Sequence, residues 1–381
     1  MKTFGKKASG LRLERMKASP LWSGTGFRNL YPIPPDLKAP MGLPVIGEYL
    51  CGGARRIPGA PLPAVNPLES WKKGADTGFR ATWLGHSTVL LEIDGFRVLT
   101  DPVWGERASP LAIAGPKRFQ PVPVSISQLP PLDAVIISHD HYDHLDYPTI
   151  LKMAELDVPF ITSLGVGAHL QAWGIPAARI HELDWWESWK PPRGDLSVTA
   201  APSQHFSGRT IGDRNGTLWS AFAIQTARHS VFFSGDTGLT GEYAAIREKL
   251  GPFDLVMLEV GAFHPAWGDI HLGPENALEA LSLLGGTGAG SRTAFLPVHW
   301  GTFNLAMHAW DDPVETLVRL APRKGAHLLL PRLGEAVEPA RTETVAPWWR
   351  DVENKGAKAE AAHPEEALPP EVEKSIPWPL D

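Results

Sequence analysis

Short apolar runs recur through the middle of the chain, and several of them stop at histidine or aspartate. The most pronounced is Ala134–Ile137, which is followed at once by the polar segment Ser138–His144. A short apolar run bounded by polar residues is typical of a buried strand, and the loop after such a strand often carries functional side chains. Similar runs precede His205, Asp236 and His299. The pattern therefore predicts four strands that each end at a side chain able to bind a metal ion.

Other segments show strand and helix patterns in alternation. The runs Val89–Ile93 and Arg97–Leu99 flank Asp94-Gly95, a pair that is typical of a hairpin turn. In the segment Pro274–Leu281 apolar residues recur at helical spacing, and its proline has the position of a first-turn proline. Strands that alternate with helices indicate an α/β protein.

Proline and glycine content divides the chain into three parts. Residues 1–75 are rich in both, as in Ile57–Pro63, and we expect an extended arm that packs on the body. Residues 76–350 hold the strand and helix patterns and are predicted to form the catalytic domain. Residues 351–381 are rich in Ala, Glu and Pro, so this tail is expected to be disordered.

Composition and charge narrow the classes of protein that fit. The chain has 381 residues, of which 43% are hydrophobic and 20% charged, with a formal net charge of −6 at pH 7. No apolar run approaches the roughly 20 residues that span a bilayer, and the basic N-terminus lacks the apolar core of a secretory signal. The acidic balance argues against nucleic acid as the main partner. We expect a cytoplasmic protein, and the sequence leaves its oligomeric state open.

Some residues are expected to have plain structural roles. The single cysteine, Cys51, cannot form an intrachain disulfide, so we expect a reducing compartment and a buried small side chain. Trp185, Trp186 and Trp189 are expected to form a buried core patch, although with the basic N-terminus they also allow weak contact with a membrane surface. His169 stands in no motif and is expected to be an ordinary core or surface residue.

The segment His139–His144 has the spacing H-x-H-x-D-H. Histidine and aspartate are ligands that borderline divalent metals such as Zn²⁺ take, and this spacing lets one loop face two ions. A solvated polar turn is the alternative, but a turn gains nothing from imidazoles at alternating positions. The other candidates also have alternatives: His205 as a loop residue, Asp236 as a turn cap and His299 as a buried histidine. Four strand ends with the same chemistry are harder to explain in that way, and the sequence predicts a metal site.

Together these motifs resemble the metallo-β-lactamase superfamily, and most closely the branch that contains N-acyl-phosphatidylethanolamine-hydrolysing phospholipase D and its bacterial relatives. The segments that carry the resemblance are Thr82–Thr88, Leu99–Pro102, His139–His144, Gln204–Arg209, Asp213–Asn215, Leu218–Ser220, Ser234–Gly238, Gly251–Asp254 and Val298–Phe303. The resemblance implies a four-layer αβ/βα sandwich of two mixed sheets with metal ions at the rim. Two features depart from the branch: Asp140 replaces the usual Asn, and the segment Glu259–His271 is shorter and less basic.

The resemblance also implies a ligand set and a cofactor. The first ion would be bound by His139, His141 and His205, the second by Asp143, His144 and His299, and both by a bridging Asp236. Two divalent ions are expected, with Zn²⁺ as the first choice and Fe or Mn as alternatives. A hydroxide held between the ions would be the nucleophile. Asp236, Asp143 and His271 are accordingly the expected catalytic residues.

Further residues are expected beside the ions. Tyr142 and His271 match positions that contact the substrate in the relatives, and Arg209 is a candidate contact for an anionic group. An arginine in a Gly-rich segment can instead brace a loop, and His271 can instead cap a helix. Asp101 is expected either to orient a ligand imidazole or to form a turn. His86 either lines the site or is a core histidine.

The expected function is metal-dependent hydrolysis of a phosphodiester, of the N-acyl-phosphatidylethanolamine phospholipase D-like type, with a small-molecule or lipid substrate. The alternative is a lactonase or carboxylic-ester hydrolase, because the same dinuclear site attacks either centre. A β-lactamase fits less well, since Asp236 is absent from that group's usual ligand set. RNA-processing relatives usually carry an added nucleic-acid-binding element, and the interval from Asp236 to His299 is too short for a large insertion. A non-catalytic scaffold would be expected to have lost a ligand.

Overall fold

The computed structural model describes residues 2–32, 55–264, 270–343 and 345–352. Cys51 and the tail from residue 353 onward lie outside the described residues, so the predictions made for them stay predictions. The strands of the described part are β1 (Trp22–Ser23), β2 (Gly26–Phe27), β3 (Phe79–Gly85), β4 (Thr88–Ile93), β5 (Phe96–Thr100), β6 (Ala134–Ile137), β7 (Phe160–Ser163), β8 (Ile180–Leu183), β9 (Ser188–Trp189), β10 (Ser197–Ala201), β11 (Ala221–Gln225), β12 (Ser230–Phe233), β13 (Leu255–Glu259), β14 (Ala294–Val298), β15 (His327–Leu328) and β16 (Ala336–Val337).

The helices of the described part are short. They are α1 (Leu11–Ala18), α2 (Leu68–Trp71), α3 (Tyr147–Met153), α4 (Gly167–Ala172), α5 (Glu242–Leu250), α6 (Gly273–Leu283) and α7 (Asp312–Lys324). Single 3₁₀ turns are formed by Lys2–Phe4, Ile126–Gln128 and Ala177–Arg179. Among these helices none has both the length and the apolar character needed to cross a bilayer.

Two seven-stranded mixed sheets form the body. The first has the strand order β16-β3-β4-β5-β6-β7-β8, and the second has the order β15-β14-β13-β12-β11-β10-β9. In the first sheet the strands from β5 to β8 are parallel and the others antiparallel. In the second sheet the strands from β12 to β15 are parallel and the others antiparallel. The two sheets therefore share one plan, with a parallel half and an antiparallel half each.

The alternation of side chains along β4 shows how the layers pack. Leu91 belongs to the central core that both sheets share, together with Phe222 of the second sheet. Leu90, its neighbour in sequence, faces the opposite way and packs in a separate cluster with Ile150 of α3. On the second sheet α5 contributes Tyr243, whose ring lies edge-on to Phe232 of β12. Helices thus cover the outer faces of both sheets, and the predicted αβ/βα sandwich is confirmed.

The local predictions agree with the elements observed. β4 and β5 form the predicted hairpin, in which Ile93 pairs with Phe96 across Asp94 and Gly95. Both turn residues have positive φ, 49° and 89°, as a tight two-residue hairpin turn requires. The predicted helix is α6, with its proline in the first turn and its apolar face buried. Burial of that face against β13 is what the helical spacing indicated.

The N-terminal residues 2–32 fold onto the body as α1 and a small β1–β2 hairpin, with more regular structure than an extended arm. Phe27 of this segment packs with Trp185 and Trp219 of the body in one buried cluster. Trp186 and Trp189 are partly buried against the central core. Trp185 therefore has the buried core position expected of it, whereas Trp186 and Trp189 only flank the core.

Candidate metal centre

The predicted ligands meet where four strands end. The loop Ser138–His144 follows β6, His205 lies four residues after β10, Asp236 follows β12 and His299 follows β14 directly. None of the seven predicted ligand side chains belongs to a residue more than 3% exposed. Parallel strands place their carboxyl ends at one edge of a sheet, and β6, β12 and β14 all lie in the parallel halves. The fold thus brings together side chains that are far apart in the sequence.

Three imidazoles form the first group. His139 Nε2 lies 2.9 Å from His141 Nδ1, and His205 Nε2 lies 3.2 Å from the same His141 nitrogen. Nitrogen ligands at 2.0–2.1 Å from a tetrahedral Zn²⁺ are about 3.3 Å apart. The three nitrogens therefore converge on one point at the spacing that a single metal ion requires.

Asp143, His144 and His299 form the second group. Asp143 Oδ2 lies 3.4 Å from His144 Nε2 and 3.2 Å from His299 Nε2. These separations also match the roughly 3.3 Å between ligands of one tetrahedral ion. His86 lies behind this group, with its Nε2 atom 2.9 Å from the same Asp143 oxygen. This buried residue lines the site, and burial lowers its pKa to about 3.

Asp236 lies between the two groups. Its Oδ2 atom is 3.1 Å from Nε2 of both His144 and His299, and 3.9 Å and 3.8 Å from Nε2 of His139 and His205. Its Oδ1 atom is buried and has no hydrogen-bond partner among the described residues, as is true of Asp143 Oδ1. Unpaired buried carboxylate oxygens are costly, and bound cations would satisfy them. The donor set and its orphaned atoms fit divalent metal ions.

The electrostatics of the two groups differ. Burial lowers the pKa of His139 and His205 well below the ordinary value, so these imidazoles are neutral and suited to coordinate a metal. Burial also disfavours a charged His144, but the carboxylates of Asp236 and Asp143 outweigh it and raise the pKa of His144 well above the ordinary value. The same opposition raises the pKa of His299 to about 10. A cation at this position would replace these protons, so binding is expected to release them.

Asp101 supports the metal loop from behind. Its Oδ2 atom lies 2.6 Å from His144 Nδ1 and accepts a hydrogen bond from Ser138 Oγ at 2.6 Å, while its Oδ1 atom accepts from the Ser138 amide at 2.7 Å. It is fully buried and has a φ of 31°, a conformation rare outside glycine. Of the two roles expected for Asp101, orientation of an imidazole is the one its contacts support.

Gly235 allows the loop before Asp236 to approach the metal loop. Its φ is +55°, and a Cβ atom at this position would lie 2.7 Å from Ser138 Cβ. Any side chain here would push the two ligand-bearing loops apart, so glycine is required by space as well as by backbone conformation.

Arg209 and Tyr142 contact each other, and Arg209 also contacts the backbone of the metal loop. The guanidinium of Arg209 donates to the carbonyl oxygens of Asp140 and Leu145, at 2.5 Å and 2.9 Å, and to that of Thr3 at 2.9 Å. It also lies 4.0 Å from the centre of the Tyr142 ring, whose hydroxyl donates to the Arg209 carbonyl at 2.6 Å. These contacts favour the bracing alternative for Arg209, because they tie the metal loop to its neighbours.

His271 lies beside both groups. Its ring centre is 5.1 Å from that of His205 and 5.4 Å from that of His299. Its Nδ1 atom is 3.1 Å from Oε1 of Glu259, a fully buried carboxylate that also accepts a hydrogen bond from the Leu272 amide. Burial would lower the pKa of His271, but the Glu259 carboxylate raises it above the ordinary value. The placement beside the centre agrees with the prediction.

Two residues near the centre, Glu259 and His169, were not predicted from the sequence to have a functional role. Glu259 ends the buried strand β13, and an acidic residue closing an apolar run is the one signal that could have indicated it. The Nε2 atom of His169 lies 3.4 Å from the Oδ2 atom of Asp140, which is a residue of the metal loop. The second Asp140 oxygen accepts from the Gly208 amide at 2.8 Å, so the residue that departs from the branch pattern links two loops.

One side of the centre is apolar. Phe206 packs its ring edge-on against His141, with the ring centres 4.6 Å apart. It belongs to a small buried cluster with Ala262, Ile270, Ala306 and Met307. A reacting group held at the metal loop would therefore have apolar side chains beside it.

Comparison with known proteins identifies the relatives of the chain. A family model described as a beta-lactamase superfamily domain matches residues 96–300. An uncharacterized protein of Mycobacterium tuberculosis is 44% identical over 307 residues, which cover 80% of each chain. N-acyl-phosphatidylethanolamine-hydrolyzing phospholipase D 1 of Caenorhabditis elegans is 37% identical over 241 residues, covering 61% of this chain and 66% of that protein. Among solved structures, an isothiocyanate hydrolase from Delia radicum gut bacteria superposes with a TM-score of 0.54 at 21% identity, covering 68% of this chain and 98% of that one. At that identity the structural likeness concerns the fold alone.

Proposed function

Because the chain belongs to the metallo-β-lactamase superfamily of metal-dependent hydrolases, we propose that it hydrolyses a phosphodiester at a dinuclear metal centre. The observation that carries this proposal is the position of Asp236, whose Oδ2 atom lies within 3.9 Å of ligand nitrogens from both groups. A carboxylate shared by two ligand groups is the arrangement that keeps two cations about 3.5–4 Å apart.

Each side chain of the site would have a distinct role in the proposed reaction. His139, His141 and His205 would hold one ion, Asp143, His144 and His299 the other, and Asp236 both. When bound, divalent ions lower the pKa of water and neutralise negative charge on a reacting ester. His271 would donate from Nε2 to the departing oxygen, while Glu259 accepts at Nδ1 and fixes the ring. We place Tyr142 and Arg209 in support of the metal loop, because their contacts are directed into it.

Two observations support a phosphodiester with an apolar portion as the substrate. The C. elegans relative is named for hydrolysis of a lipid phosphodiester. The cluster around Phe206 gives the centre an apolar side, which suits an acyl or alkyl group better than a sugar or a nucleobase.

A lactone or carboxylic ester is the second candidate. The observation that favours it is the engagement of Arg209, whose guanidinium binds backbone carbonyls in place of an anionic substrate group. An uncharged ester requires no such cation.

A panel of three substrates tests the choice. Metal-loaded protein is expected to hydrolyse bis-p-nitrophenyl phosphate and a lipid phosphodiester, with higher kcat/KM for the lipid, and to act poorly on a lactone. Chelator-treated protein is the control, and it should act on none of them. Preferred turnover of the lactone would overturn the proposal in favour of the second candidate.

Metal content gives an independent prediction. Elemental analysis is expected to find close to two metal ions per chain, because the described residues offer two ligand groups and a shared carboxylate. Zn²⁺ is expected first, and the same His/Asp ligands also accept Fe or Mn. A preparation with one ion per chain and full activity would contradict the dinuclear centre.

A further inference from the structure

The side chain of Asn29 holds the backbone of His205 on both sides. Asn29 Nδ2 donates to the His205 carbonyl at 2.7 Å, and the His205 amide donates to Asn29 Oδ1 at 3.1 Å. The indole of Trp219 donates to the same Oδ1 atom at 3.1 Å. Asn29 and His205 are 176 positions apart in the sequence, so the contact between them ties the N-terminal segment to a loop of the second sheet.

His205 depends on this contact because it stands outside the strand ladder. β10 ends at Ala201 and the next strand begins at Ala221, so the loop cannot use sheet pairing for its backbone groups. Buried backbone groups need partners, and a side-chain amide offers one donor and one acceptor at the right spacing. The ring is fixed separately, since its Nδ1 atom lies 2.9 Å from the Ile270 carbonyl oxygen. With backbone and ring both held, Nε2 faces His141.

The N-terminal segment that carries Asn29 is itself held against the body by hydrogen bonds and buried side chains. The Phe27 amide donates to the Asn215 carbonyl at 2.8 Å, and the Phe27 side chain is buried among Leu218 and Trp219. Further toward the N-terminus, the Lys6 amide donates to His169 Nδ1 at 2.9 Å. The same segment therefore reaches the His205 loop directly and the metal loop through His169.

We propose that Asn29 is a positioning residue of the metal centre, which sets the affinity of the His139, His141 and His205 group for its ion. The inference rests on the ligand assignment of the proposed function. Residues that orient a metal ligand typically contribute 10- to 100-fold to metal affinity. The N-terminal segment is thus part of the catalytic unit, although it supplies no ligand.

The test measures the affinity of each ion separately. Asn29→Ala removes both hydrogen bonds to His205. In chelator competition, the affinity of the His139, His141 and His205 group for its ion is expected to fall by roughly 10- to 100-fold, while the affinity for the other ion stays unchanged. When the protein is titrated with Co²⁺, the visible spectrum of the variant should differ from that of the wild type in the step that fills this weakened site. Asn29→Asp is the second variant: it keeps the shape and the acceptor but replaces the donor to the His205 carbonyl with an oxygen, so it should show the same selective loss.

Arg15→Ala is the matched control. Arg15 joins the same segment to the body through an ion pair with Glu187 in which both side chains are about half exposed, so its loss should leave both affinities unchanged. Unchanged affinities in both Asn29 variants, or equal weakening of both ions, would overturn the positioning role. The wild-type protein is titrated first, and failure to bind two ions there would count against the proposed function instead.

Discussion

Asp236→Ala is expected to remove nearly all hydrolytic activity and to weaken metal retention while leaving the fold in place. Asp236 Oδ2 lies 3.1 Å from Nε2 of His144 and His299 in the second ligand group, and 3.9 Å and 3.8 Å from Nε2 of His139 and His205 in the first. In the proposed dinuclear centre, this substitution would remove the carboxylate that both ions share. Lewis-acid stabilisation of about 4 kcal/mol corresponds to roughly 10³-fold in rate, so kcat/KM should fall by at least about that factor. Steady-state kinetics and elemental analysis of the same preparation measure both effects.

The fold should survive because the body does not depend on this side chain. The core of both sheets is continuous and apolar, and Asp236 lies at its rim. Asp157→Ala is the matched control, since Asp157 is exposed and lies before β7, at the opposite end of the first sheet from the metal loop. Circular dichroism should be alike for both variants. Wild-type turnover and metal content in Asp236→Ala would show that the bridging assignment is wrong.

His271→Ala is expected to keep both metal ions and to lose rate selectively on substrates with poor leaving groups. If His271 protonates the departing oxygen, an alkoxide-like leaving group needs it, whereas a nitrophenolate leaves readily without a proton. General-acid assistance typically contributes ~10²–10⁴-fold, so the loss on a dialkyl or lipid diester should approach that range. The loss on bis-p-nitrophenyl phosphate should be small. The measurement is the ratio of kcat/KM values for the two diesters, compared between variant and wild type.

Glu259→Gln extends this experiment to the partner of His271. The amide keeps an oxygen for the backbone amides of Thr237 and Leu272 but loses the charge beside His271 Nδ1. A smaller loss with the same leaving-group dependence is expected. Equal loss on both diesters in His271→Ala would indicate a binding role, and no loss on either would remove the main reason for preferring phosphodiesters over lactones.

The sequence by itself determined the strands and the ligand types. The run Ala134–Ile137 became β6 with the same bounds, and the hairpin around Asp94 and Gly95 formed where predicted. These features are local: burial of an apolar run, and positive φ in a two-residue turn, are governed by neighbouring residues. The candidate ligands were also visible, because histidine and aspartate at strand ends are unusual in side-chain type as well as in position.

Only the tertiary structure decided which residues support the site. Arg209 acts on carbonyl oxygens, and Asn29 on a backbone amide and carbonyl, so neither contact leaves a side-chain pattern in the sequence. His169 lies beside Asp140 of the metal loop and Glu259 lies beside His271, and neither pairing is visible in the sequence because the partners are 29 and 12 positions apart. Such contacts arise when sheets and loops pack, and the packing depends on the whole core. Local patterns therefore indicated the ligand types. The orientation of the site histidines depends on long-range contacts, with side chains such as Asp101 for His144 and with backbone groups such as the Ile270 carbonyl for His205.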